Sequence, residues 1–149
     1  MSIFDTIKKS VGDISTSLTA EVKKFRSKDL LQAIVSGAAM IAYADGSVSA
    51  EEKQKLLGYV KNSEQLSVFD ADSVITIFNQ ATQRFEFDNS IAVGETLQKI
   101  AVFKGKPEAH IIVRVCVAIA KADGNFDATE RRAVEQICAA LGLDSSSFE

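Results

Sequence analysis

The chain has 149 residues, 46% hydrophobic and 25% charged, long enough for one globular core and too apolar for a disordered segment. Seventeen Lys and Arg against twenty Asp and Glu leave a net charge of −3, which excludes a strongly basic nucleic-acid surface and points to cations or basic proteins as partners. Two cysteines, Cys116 and Cys138, sit in apolar helical patterns with no CxxC and no neighbouring histidine, the usage of buried, reduced thiols in a cytosolic protein.

One proline and eight glycines, most near the ends of apolar-periodic segments, predict an all-α chain with short connections. The first helix is expected over 3–25. Its apolar stripe is Ile7, Val11, Ile14, Leu18, Val22 and Phe25 at spacings of 4, 3, 4, 4 and 3, with Lys8, Lys9, Lys23 and Lys24 as its basic charge. Docking on the domain is the default for such a stripe, and peripheral contact with an anionic membrane is the alternative. The opening residues lack the apolar core of a signal peptide, and no apolar run reaches the ~18 to 20 residues of a bilayer span.

Helices follow over 28–44, 50–62, 71–85, 89–104, 107–122 and 128–141, with a final turn after Asp144. The stretches Leu30 to Ala44 and Ala109 to Ala122 are apolar nearly all round and are expected to be two central helices. Asp70 and Asp88 stand where N-caps belong, and Gly105 with Pro107 marks a boundary near Lys106.

An internal repeat organises the chain. Ile41-Ala-Tyr-Ala-Asp-Gly-Ser-Val-Ser-Ala-Glu-Glu-Lys aligns with Ile119-Ala-Lys-Ala-Asp-Gly-Asn-Phe-Asp-Ala-Thr-Glu-Arg at an offset of 78, with seven identities in thirteen positions. Chance would give about one. The expected fold is therefore about seven helices in two pseudo-repeated halves around the two central helices. The single domain, 1–149, divides into an amphipathic N-terminal helix (1–27), a first half (28–66), a connecting helix (67–87) and a second half (88–149).

Each repeated loop has a structural explanation. Gly46 and Gly124 can end one helix in the left-handed conformation, while Ser49 with Glu52 and Asp127 with Glu130 form capping boxes for the next. Asp45 and Asp123 fit less easily, because each is expected at the carbonyl end of a helix, where the macrodipole disfavours an anion by ~0.3 to 1 kcal/mol. An Asx-turn would compensate, and so would a bound cation. Asp123, Asn125, Asp127 and Glu130 offer oxygen at alternate loop positions and in the first helical turn, as Asp45 and Glu52 do with Ser47 and Ser49 in the first loop. Oxygen donors select Ca²⁺, Mg²⁺ or Mn²⁺. Neither loop is an EF-hand: counted from the aspartate, Ala50 or Ala128 takes the glycine position and Leu56 or Val134 the glutamate position. Glu86, Asp88 and Glu95 form a further acidic group, with Asp88 explained as a cap.

Catalytic residues are absent from this pattern. The lone histidine, His110, has no serine or cysteine placed beside it by sequence, and neither GxGxxG nor GxxxxGK[ST] occurs, so no organic cofactor is expected. A metal-assisted hydrolase built on the carboxylates and a purely structural module with capping loops are the alternatives to a non-enzymatic binding protein.

The two Ala-x-Ala-Asp-Gly loops, with Ser49-Ala-Glu-Glu-Lys-Gln-Lys, Phe85-Glu-Phe-Asp, Gly94-Glu-Thr and Lys121-Ala-Asp-Gly-Asn-Phe-Asp, resemble the TerB family of tellurite-resistance proteins over nearly the whole chain. The resemblance implies a compact all-α fold, a cytoplasmic role in tellurite and stress resistance, and association with other Ter proteins, including a membrane-embedded member and calcium-binding members. It also implies divalent-metal binding at Asp45, Glu52, Asp123 and Glu130. A similar module occurs in a membrane-anchored DnaJ-like co-chaperone.

Overall fold

The computed structural model describes residues 16–148, apart from the side chain of Asp123. Its helices are α1 (described over 16–25), α2 (Lys28–Ala42), α3 (Ala50–Lys61), α4 (Ala71–Phe87), α5 (Asn89–Ala101), α6 (Glu108–Ala120) and α7 (Ala128–Leu141). Short 3-10 turns occupy Gln65–Val68, Lys121–Asp123 and Ser145–Ser147, and the described residues include no strand. The all-α expectation holds. Of the expected 3–25 helix, Ile7, Val11 and Ile14 lie outside the described residues, whereas Val22 is fully buried and Leu18 and Phe25 pack against the core.

Short polar side chains start most helices, since their oxygens satisfy first-turn amides that have no partner inside the helix. Ser27, Ser49, Asp70, Asp88 and Asp127 accept from the amides of Leu30, Glu52, Ser73, Ile91 and Glu130. Pro107 is the cap residue before α6, one position ahead of where the sequence pattern puts it.

Three expected helices stop two or three residues early. α2 ends at Ala42 because Tyr43 turns inward: its ring stacks on Phe85 at 5.6 Å, and its carbonyl accepts from the Gly46 amide at 2.9 Å and from Asn89 Nδ2 at 3.0 Å, so that a terminal oxygen without a helical partner is satisfied. α5 ends at Ala101, where i→i−3 turns bring Phe103 into the core and leave Val102 59% exposed before Gly105 reverses the chain at φ +78°. α6 gives way after Ala120 to the tighter turn Lys121–Asp123.

The core is continuous. Within α2, Leu30, Leu31 and every residue from Ala33 to Ile41 are buried, and the helix packs against α4, α5, α6 and α7. Close approach to α6 depends on Gly37, where an added Cβ would stand 2.8 Å from Cys116 Sγ. That sulfur donates to the Ile34 carbonyl at 3.3 Å, and burial, with Cys138 nearby, pushes the thiol up to about 12. Both cysteines are buried, and neither forms a disulfide.

Candidate functional site

The loops that follow α2 and α6 meet at one cleft of about 500 Å³. Its floor is apolar, drawn from α2 (Ala38, Ile41), α3 (Leu56) and α6 (Ile119). Around it stand Asp45 and Glu52 from the first loop and helix, and Asn125, Asp127 and Glu130 from the second. Five of the six residues expected to ligate a metal therefore share one concavity, and Asp123 closes the turn that leads into it.

Local geometry places these side chains. Asp45 lies three residues past the end of α2, clear of the helix rather than on its last carbonyls, because Tyr43 ends the helix early. It accepts the Ser47 amide through Oδ1 at 3.1 Å, the Asx-turn alternative, and Gly46 takes the positive φ of +94° that this tight bend requires. In the second loop Asp127 Oδ1 accepts the Glu130 amide at 2.8 Å while Glu130 Oε1 accepts the Asp127 amide at 3.4 Å, a complete capping box. In the first loop the Ser49 hydroxyl makes its half of the box, accepting the Glu52 amide at 3.1 Å.

The residue between glycine and cap pins each bend. Val48 and Phe126 are half-buried against the core. Phe126 also carries two cations on its ring, Lys121 Nζ at 5.4 Å and the Arg131 guanidinium at 5.8 Å from the centroid.

Glu86, Asp88 and Glu95, the further acidic group, each meet partners of their own. Glu86 accepts from the Tyr43 hydroxyl at 2.9 Å and from Lys53 Nζ at 3.2 Å, tying the first loop's flanks to α4. Asp88 caps α5, and Glu95 accepts two hydrogen bonds from the Arg84 guanidinium at 3.0 and 2.7 Å. Burial, and secondarily the hydrogen bond to Glu86, raises the Tyr43 phenol well above its ordinary value.

Sequence reasoning missed Lys55, Tyr59 and Thr129, which also line the cleft. Lys55, Leu56 and Tyr59 follow Glu52 at +3, +4 and +7, so projecting the Glu52 face along α3 would have found them. It missed the Tyr43–Glu86–Lys53 set for a different reason: those residues are joined only by tertiary packing. His110 is exposed, its ring 5.9 Å from that of Phe148. Among the described residues, no three Asp, Glu, His or Cys side chains are gathered closely enough to hold a metal ion together.

A family model described as "Tellurite resistance protein TerB" matches residues 31–149. The chain belongs to the TerB family. The TerB match takes in both loops and every element that lines the cleft. A relative from Alcaligenes sp, "Tellurium resistance protein TerB", is 41% identical over 109 residues, covering 73% of this chain and 89% of its own length. No solved structure matches the chain. Among the described residues of this TerB-family protein, no helix is long and apolar enough to cross a membrane.

Proposed function

We propose that this TerB-family protein is a non-enzymatic adaptor of a cytoplasmic tellurite-resistance system, and that the cleft between its two Asp-Gly loops receives positive charge from a partner. The observation that supports this most is the convergence of Asp45, Glu52, Asp127 and Glu130 around one apolar floor, with Lys55 the cation among the residues lining it. Carboxylates around an apolar groove suit a basic surface that also presents apolar side chains, since each half of the groove then meets its complement. Other Ter proteins, a membrane-embedded one among them, are the partners this reading assigns, and the linkage to the membrane runs through them.

A hard divalent cation is the second reading. It is favoured by the oxygen donors Asp45, Asn125, Asp127 and Glu130 sharing the cleft, with Asp123 in the adjoining turn, and such a set would take Ca²⁺, Mg²⁺ or Mn²⁺. Because the carboxylates are spread around the rim, an ion would have to draw the two loops together as it bound. A hydrolase would need the same closure and an open position on the ion for water.

Titration calorimetry on the full chain decides between these. Ca²⁺, Mg²⁺, Mn²⁺ and a Lys-rich amphipathic peptide are each titrated into the parent, Asp45→Asn/Asp123→Asn and Asp127→Asn. The expected result is saturable heat with the peptide and a loss of about tenfold in affinity, near 1.4 kcal/mol, in the double variant. Saturable heat with a metal alone selects the second reading. No heat with any titrant at millimolar concentration overturns both.

A further inference from the structure

Four buried side chains among the described residues are polar: Ser36, Gln65, Thr82 and Thr96. Gln65 donates to the Thr19 hydroxyl at 3.3 Å and Thr82 to the Asn79 carbonyl at 3.2 Å, the usual condition of a polar group taken out of water. Ser36 and Thr96 differ. They are 3% and 4% exposed, and neither hydroxyl has a hydrogen bond to any described residue. Because no side-chain oxygen or nitrogen sealed from solvent lacks a partner among the described residues, these two hydroxyls must be reached by solvent. They reach it at the same place: both line one narrow cavity of about 60 Å³ where α2, α4 and α5 meet.

That volume exceeds the roughly 10 to 15 Å³ that admits a single water, and it suits a ligand of a few heavy atoms. The polar lining is rich in donors. Gln32 and Gln80 add carboxamides to the two hydroxyls, and the exposed Lys99 adds an ammonium with no ion pair among the described residues. Arg84 directs Nε and Nη2 to Glu95 Oε1, so these two charges cancel and Lys99 leaves one positive charge in excess. A metal cation would have to take Glu95 from Arg84 and would find no second carboxylate in the lining. An oxyanion meets hydroxyl, amide and ammonium donors from all three helices. Glu95 then selects among oxyanions. Its Oε2 has no hydrogen bond to a described residue and can accept an O–H from an anion that keeps a proton, whereas a fully ionised anion meets only repulsion there.

We propose that the cavity between α2, α4 and α5 binds a small oxyanion that retains a proton, of which monohydrogen phosphate is the type, with the Ser36 and Thr96 hydroxyls and the Lys99 ammonium as donors and Glu95 as acceptor. The site shares no lining residue with the acidic cleft and stands independently of any function assigned there.

Amide chemical-shift mapping tests the site, with the full-length protein titrated with inorganic phosphate and separately with sulfate at neutral pH and constant ionic strength. Phosphate is expected to shift the amides of Ser36, Ala81 and Thr96 saturably and to bind about fivefold more tightly than sulfate. Ser36→Ala/Thr96→Val is expected to weaken phosphate binding about tenfold while keeping the parent's melting temperature in phosphate-free buffer, since the two hydroxyls it removes have no partner among the described residues. Lys99→Gln, a change on the exposed face of α5, is expected to weaken it about threefold. Shifts that never saturate, or that centre on Lys104 and Lys106 in the basic turn before α6, overturn the proposal, and so does sulfate binding as tightly as phosphate. Affinity unchanged in either variant overturns it too, and Lys99→Gln decides alone if the double variant fails to fold.

Discussion

The two Asp-Gly bends carry nearly the same residues and are held by different means. The first is fastened at long range: Tyr43 beside it and Lys53 beyond it both bond Glu86, forty-three and thirty-three residues away in sequence, and Asn89 bonds the Tyr43 carbonyl. The second is fastened locally, by a complete capping box and by Lys121 and Arg131 on the face of Phe126. At the offset of 78, Tyr43 corresponds to Lys121, Lys53 to Arg131 and Val48 to Phe126, so three substitutions convert a tertiary anchor into a local one. Local contacts form and break with their own segment, whereas tertiary contacts open only when the neighbouring helices part. Among the described hydrogen bonds, those at the first bend tie it to α4 and α5, and those at the second stay within its own segment.

Truncating the matched positions Tyr43 and Lys121 should break this comparison most sharply. Tyr43→Ala removes a ring that is 2% exposed and is expected to cost about 3 to 4 kcal/mol, whereas Lys121→Ala, on an exposed side chain, should stay within about 0.5 kcal/mol. Urea denaturation followed by circular dichroism measures both, and equal effects would refute the asymmetry. Tyr43→Phe isolates the hydroxyl and should cost about 1 kcal/mol. It also has a pH signature. The folded state holds the Tyr43 proton more tightly than the unfolded chain, whose phenol titrates near 10.0, so this stabilisation is complete below that pH and is lost as pH rises above it. Stability of the parent should therefore fall more steeply than that of Tyr43→Phe above pH 10.0.

The apolar pins rank next. Phe126→Ala is expected to cost about 2 kcal/mol, part of it the loss of the two ring-bound cations, and Val48→Ala about 1 kcal/mol. The smallest effects belong to the caps. Asp127→Ala should destabilise by about 1 kcal/mol, and Ser49→Ala by somewhat less because its box is half made. Amide exchange in the first turns of α7 and α3 would show whether the losses stay local.

Most of the fold was legible because it is written in local signals. Helical periodicity placed all the described helices, and Asp70, Asp88, Ser49 and Asp127 announced their starts. Helix ends were less legible. Ala44 is a good helix former, and nothing near it says that Tyr43 will swing onto Phe85, because that decision is made by a ring forty-two residues away. The same error put Asp45 on a helix terminus and overstated its electrostatic cost, since the residue sits in a turn where Ser47 meets it. The acidic loops themselves were legible from their spacing. Their meeting at one cleft was not, because it depends on how α3 lies across α6.

The contact between Gly37 and Cys116 makes two distant sites answer to each other. A methyl group at 37 would collide with the sulfur, and the sulfur is fixed by its bond to the Ile34 carbonyl, so neither can move aside cheaply. Gly37→Ala alone should lower the melting temperature, and Gly37→Ala/Cys116→Ala should recover much of the loss by trading one atom for another in the same space. A thiol retained there serves as filler cut to a particular gap, and its chemistry is silenced by the same fit that makes it useful.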